Sequence, residues 1–188
     1  MDQKKVVIGI GAVLIVLFLA TIGSFFTGYA VLNQKELTLE NYPCPFIKNN
    51  APNNLYIVTP VSPNAEETQA AKNIANSLER TKLMHVQIIN DKEIPQGIYN
   101  FILIGNPCDN ELVAQQLETD KCDLGLNEGD GYIKLVNADR ASTVIISGYN
   151  SNALLKAATV ISNYKFYPLR GTQIRVYGNP QSLFLDYF

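Results

Sequence analysis

Residues 6–26 carry no charged side chain, and the run VVIGIGAVLIVLFLATIGSFF is apolar on every side of a helix. An α-helix rises about 1.5 Å per residue, so the run matches the roughly 30 Å of a bilayer core. A soluble amphipathic helix would show a polar stripe, and none is present. Gly9, Gly11 and Gly23 weaken a helix in water but are tolerated in lipid. The run therefore reads as a retained signal anchor that spans the membrane once. A cleaved signal peptide, with an apolar core of about 7–15 residues and a small-x-small site, is the main alternative. A buried helix of a soluble domain is the other. Lys4 and Lys5 precede the run, which places the N-terminus in the cytoplasm and the chain after Phe26 outside, although Lys35 and Lys48 follow. Gly9 and Gly11 lack the four-residue spacing of a dimerising pair.

The residues beyond 26 suffice for one domain with a real core. With 15 basic and 17 acidic residues the net charge is −2, and the basic residues form no cluster. Nucleic acid is therefore excluded as a partner. One histidine, His85, cannot build a His-rich metal site, and it reads as a strand residue rather than a catalyst. No N-x-S/T triplet occurs, so glycosylation of the usual type is not indicated.

Three cysteines remain to be placed. Cys108 and Cys122 lack the C-x-x-C spacing of a redox couple, and no zinc-knuckle spacing links them to Cys44 or His85. Outside the cell, oxidation is favoured. A Cys108–Cys122 bridge would close a short loop around the helix NELVAQQLE and restrain the unfolded chain by about 3 kcal/mol. The chain must fold back within TDK for that bridge to close, and two free buried thiols are the alternative. Cys44, between two prolines, reads as an intermolecular or free thiol.

The periodicity switches repeatedly beyond residue 54. Apolar runs at 55–61, 84–90 and 100–105 read as strands, as do 132–136, 143–148 and 171–177. Residues 64–81 read as a helix with Asn64 as its cap and Glu67 at capping-box spacing. Its stripe is Ala70, Ala71, Ile74, Ala75 and Leu78. Residues 150–167 read as the last helix, with Leu154, Leu155, Ala158, Ile161 and Ser162 facing inward. The fold class expected is α/β: an N-terminal transmembrane helix followed by one layered domain with a mixed, largely parallel sheet. The divisions are a cytoplasmic terminus at 1–5, the anchor at 6–26, and a stalk with a Pro-rich turn at 27–53. The α/β domain covers 54–178 and an apolar tail 179–188.

Four phrases taken together resemble the domain of archaeal S-layer and S-layer-like cell-surface proteins. They are YPCPFIKNN leading into NLYIVTPVSPNAEETQAAKNIANSLE, then NFILIGNPCDNELVAQQL, then GDGYIKLVNADRASTVIISGYNSNALLKAATVISNY, then GTQIRV. The resemblance spans roughly residues 42–176. It rests on Tyr42, Pro43, Pro45 and Phe46, on Gly105, Pro107 and Cys108, and on Gly129, Gly131, Ile133, Lys134 and Leu135. Gly148, Tyr149, Asn163 and Tyr164 complete it. The resemblance implies a second cysteine at Cys122 and implies nothing for Cys44. It implies a structural role at the cell surface. The chain is short and its apolar run is N-terminal, which departs from the long lattice-forming members.

In open α/β sheets ligands bind beyond the carboxyl ends of the strands. The loops there bring Ser62, Asn64, Asn106, Asp109, Asn110, Tyr149, Asn150 and Ser151 toward one rim. An anion or sugar held at helix N-termini is one reading. Capping is the other, since Asn, Asp and Ser are the preferred N-caps. No phosphate-binding glycine loop or nucleophile elbow occurs. Asp120, Asp123, Glu128 and Asp130 form an acidic group whose spacing fits no EF-hand. The expectation is a membrane-anchored extracellular structural and interaction module, S-layer-like, with no enzymatic activity, cofactor or metal. Envelope proteins or copies of itself are the expected partners. A ligand-binding or enzymatic ectodomain using the rim, and a subunit of a surface appendage, are the alternatives.

Overall fold

The computed structural model describes residues 37–49, 51–79, 85–138 and 141–188. Two short strands, β1 (Ile47–Lys48) and β2 (Ala51–Pro52), pair antiparallel on their own. The main sheet has seven strands in the order β4-β3-β5-β7-β6-β8-β9. They are β3 (Leu55–Thr59), β4 (Gln87–Asn90), β5 (Asn100–Ile104), β6 (Gly131–Asn137), β7 (Ser142–Gly148), β8 (Gln173–Asn179) and β9 (Ser182–Tyr187). Three helices cover it: α1 (Ala65–Leu78), α2 (Glu111–Leu117) and α3 (Ser151–Ser162).

The layering follows from the side chains. In β3, β5 and β7 neighbouring apolar residues point to opposite faces, and both faces are covered. Ile57, Ile102 and Ile146 pack under α1 and α3, beside Ala70, Ile74, Ala158 and Ile161. Val58, Leu103 and Ile145 pack under α2 with Val113. The alanines of α1 and α3 let the two helices lie close on the sheet. Gly131 and Gly148 are directly opposed across β6 and β7. A Cβ at Gly131 would lie 2.5 Å from the Ala153 carbonyl oxygen, and one at Gly148 2.5 Å from the Leu154 nitrogen. Those two glycines let the start of α3 rest on the sheet.

The expected fold class is corrected in two respects. First, the sheet is not largely parallel. The β3–β4, β3–β5 and β5–β7 pairings are parallel, whereas β6–β7, β6–β8 and β8–β9 are antiparallel. The cause is one inserted strand. The α3 crossover returns β8 in the same direction as β7, but β6 lies between them and runs the other way. Second, no helix among the described residues is long and apolar enough to cross a membrane. Residues 6–26, where a spanning helix is expected, lie outside the described residues.

The two ends of the domain also differ from expectation. The compact unit runs from Leu37 to Phe188. Leu39, Tyr42 and Phe46, in the segment read as stalk and Pro-rich turn, are buried in the main core. Tyr42 meets Tyr164 edge-on, with ring centres 5.2 Å apart. Burial pushes the Tyr42 phenol far above its ordinary value, with Tyr164 adding to the shift. The apolar tail, too apolar for a random terminus, packs on the domain itself: it turns at residues 180–181 and returns as β9 alongside β8. His85 precedes β4 instead of lying in it, and its exposed ring faces Glu79 at 3.4 Å.

Candidate functional site

The strands β3, β5 and β7 run parallel, so their carboxyl ends share one rim. Each leads into a helix: β3 into α1, β5 into α2 and β7 into α3. A helix leaves its first amides without partners, so the residue at each junction must supply an acceptor. All three junctions use asparagine. Asn64 Oδ1 accepts from the Glu67 amide at 2.9 Å. Asn110 Oδ1 accepts from the amides of Leu112 and Val113 at 3.0 and 3.3 Å. Asn150 Oδ1 accepts from the Ala153 amide at 3.0 Å.

The side-chain amides of Asn64, Asn106 and Asn110 donate within the rim as well. Asn110 is fully buried, and its Nδ2 donates to the Ile104 carbonyl at 3.0 Å. Asn64 Nδ2 donates to Ser151 Oγ at 2.9 Å, tying the starts of α1 and α3 together. Asn106 Oδ1 accepts from the Cys108 and Asp109 amides, while its Nδ2 donates to Asp109 Oδ2 at 2.7 Å. Of the eight rim residues named from the sequence, Ser62, Asn64, Asp109, Tyr149 and Asn150 are exposed, Asn106 and Ser151 are half-buried, and Asn110 is buried. Four surface cavities, of about 230 to 640 Å³, have none of the eight in their walls.

One rim group stands out electrostatically. Glu67 is buried, and its carboxyl is held above the ordinary glutamate range. Burial is the main cause, and the negative charges of Asp109 and Glu66 add to it. The hydrogen bond from the Asn64 amide, at 2.9 Å, works against them. Spacing alone marked Glu67 as a capping partner. Its burial comes from α1 lying flat on the sheet, which no local signal reports.

Cys108 and Cys122 are joined as a disulfide, with Cα atoms 5.1 Å apart. The chain reverses between them at Glu118, whose backbone is left-handed, with φ 51°. The Glu118 and Thr119 amides then donate back to carbonyls of α2. The reversal therefore falls at the helix end, just before the TDK segment. Cys44 is unpaired and exposed. Among the described residues no group of three or more His, Cys, Asp or Glu is placed to hold a metal ion.

A second surface lies at the far end of the sheet, and the sequence pattern did not indicate it. The face of β6, β8 and β9 opposite α3 is only partly covered: Leu117, Leu124 and Leu126 line a cavity of about 490 Å³ with Tyr132, Lys134 and Gln173, while Tyr177 and Phe184 are exposed. Arg175 there bonds Asp186 at 2.6 Å and lies 3.9 Å from the buried Asp130. Its guanidinium also sits over the rings of Tyr177 and Phe188. Tyr177 stacks on Phe184 with centres 5.5 Å apart. Tyr132 Oη donates to Gln173 Oε1 at 2.7 Å. This is an amphipathic surface of aromatic rings held by one cation, and suits contact with protein better than chemistry on a small molecule.

No family model matches the chain, and no curated protein is significantly similar to it.

Proposed function

We propose that the chain is an interaction module of the cell envelope. Its α/β domain faces the exterior, resembles an S-layer domain in role, and works by docking to protein. The observation that carries this reading is the rim. Asn64, Asn106 and Asn110 turn both side-chain polar atoms, and Asn150 its Oδ1, onto the chain's own backbone and side chains instead of toward a common point. The disulfide around α2 supports an oxidising exterior. The open aromatic face of β8 and β9 supports docking.

The exposed Cys44 makes the location testable. Intact cells are treated with a membrane-impermeant maleimide, and the chain is then analysed by mass spectrometry. Labelling of Cys44 with Cys108–Cys122 still oxidised supports the reading. Labelling only after lysis, or three reduced thiols, refutes it. Fractionation of the same cells reports whether the chain travels with the membrane.

The buried Glu67 carboxyl favours a second reading, a ligand-binding ectodomain at the rim. Calorimetric titration with simple sugars and anions tests it. Heat of binding that disappears in Glu67→Gln supports this second reading over docking.

A further inference from the structure

Among the described residues β9 is the last strand of the sheet, and no strand pairs its outer edge. A free edge presents a row of unpaired amides and carbonyls, which proteins usually guard with charge, proline or brevity. The opposite edge, β4, has such guards. It is four residues long and runs into Asp91, Lys92 and Glu93. β9 is six residues long, SLFLDY, with neither lysine nor proline. Its one charge, Asp186, is held by Arg175 of the neighbouring strand. Phe184 is 52% exposed, with Tyr177 at 40% and Phe188 at 63% beside it.

We propose that β9 pairs with β9 of a second copy of this chain, antiparallel about a twofold axis at Phe184, so that two sheets become one. The symmetry limits the register to those in which one residue faces its own copy, and the side chains choose among them. Residues directly opposite in a ladder point to the same face, and a twofold axis must exchange the two strands. The axis therefore passes through one residue and its own copy. With the axis at Phe184, Phe184 meets Phe184, Leu183 meets Leu185 and Ser182 meets Asp186. Phe184, Leu183 and Leu185 then each face an apolar side chain, Tyr187 lies against Gln181 at the end of the ladder, and no like charges oppose. With the axis at Leu185, Phe184 would lie against Asp186. With the axis at Asp186, two carboxylates would face each other. Tyr177 already stacks on Phe184, so the pairing gathers four rings on one face.

This proposal deepens the docking reading and rests on it, yet the two fail separately: Cys44 labelling reports location, and the following experiment reports pairing. Phe184→Cys, Leu183→Cys and Leu185→Cys are each made in the full chain on a Cys44→Ser background and oxidised mildly in whole cells. Residues directly opposed across a ladder lie about 4.5–5.5 Å apart at Cα, within disulfide reach. Phe184→Cys is expected to give a covalent dimer on a non-reducing gel, and the two leucine variants little or none. In the complementary variant, Phe184→Lys, two cations would face each other. Chemical cross-linking is expected to lose the dimer, while the chain keeps the protease resistance of the parent. No dimer from Phe184→Cys overturns the proposal, as does equal cross-linking at all three positions. An adduct of another mass overturns it too, since it identifies a different occupant of the edge. A dimer that survives Phe184→Lys also counts against it.

Discussion

The two halves of the sheet are built by different rules. In the half formed by β4, β3, β5 and β7, strands run parallel, and β3, β5 and β7 are covered on both faces. In the half formed by β6, β8 and β9, strands run antiparallel, and the face opposite α3 is covered only in part. Parallel strands need helical crossovers, and those helices supply the two covers. The antiparallel pairs β6–β7 and β8–β9 follow directly in sequence, with no helix between them to supply a second cover. Ile133 and Leu135 of β6 are buried, while Tyr132 and Lys134, which alternate with them, are partly open. The parallel strands β3, β5 and β7 are thus buried on both faces, whereas the antiparallel half gives one face to the core and offers surface on the other.

The sharpest way to break this contrast is to truncate neighbours. In β7, Ile145→Ala and Ile146→Ala should each cost about 2–5 kcal/mol in chemical denaturation, because each residue fills a separate core. In β6, Ile133→Ala should cost as much, whereas Lys134→Ala should change little. Equal losses at Ile133 and Lys134 would show that the partly covered face is closed. Next in size is the disulfide. Reducing it, or making Cys108→Ser with Cys122→Ser, should lower stability by about 3 kcal/mol. A loss confined to hydrogen exchange in α2, with the sheet unaffected, would instead make α2 a separately opening cover.

The same contrast explains what could be read in advance. The strands and helices from residue 55 to 177 follow period and capping, and the stripe Ala70, Ala71, Ile74, Ala75 and Leu78 is buried in the structure. Capping at Asn64 was legible because Glu67 sits at the required spacing. The sheet's mixed character was not legible in full, because no local pattern says that β6 lies between β7 and β8. The role of β9 was hidden for a related reason. LFL alternates too briefly to be told from a tail, and its strand state depends on β8 being its neighbour. Leu39 and Tyr42 were similarly masked by the prolines around them, which signal a turn but not what the turn packs against. At the rim Asn64, Asn110 and Asn150 are bonded as caps, which their residue type allowed and only the hydrogen bonds could show.

Those caps give a smaller and graded test. Asn110→Ala should cost about 2 kcal/mol, because it leaves the Leu112 and Val113 amides and the buried Ile104 carbonyl unpaired together. Asn150→Ala, which releases one amide, should cost about 1 kcal/mol. If both losses fall near zero while a sugar or anion ceases to bind, the rim belongs to recognition.

The smallest expected effect has a definite sign. Burial holds the Glu67 carboxyl above the ordinary glutamate range, so between its unfolded and folded values the folded chain keeps a proton that the unfolded chain has lost. Stability from this group is therefore complete below the unfolded value and declines as pH rises through the folded one. Glu67→Gln keeps an oxygen to accept from the Asn64 amide and cannot ionise. At neutral pH it should be at least as stable as the parent, and its advantage should vanish as the pH is lowered through the glutamate range. Glu67→Ala, which loses the reciprocal bond, should be less stable than Glu67→Gln at every pH. A glutamine variant that is weaker at pH 7 and recovers toward acid would mean that the charged carboxylate is the stabilising form. The capping bond would then outweigh burial where α1 meets the parallel half of the sheet.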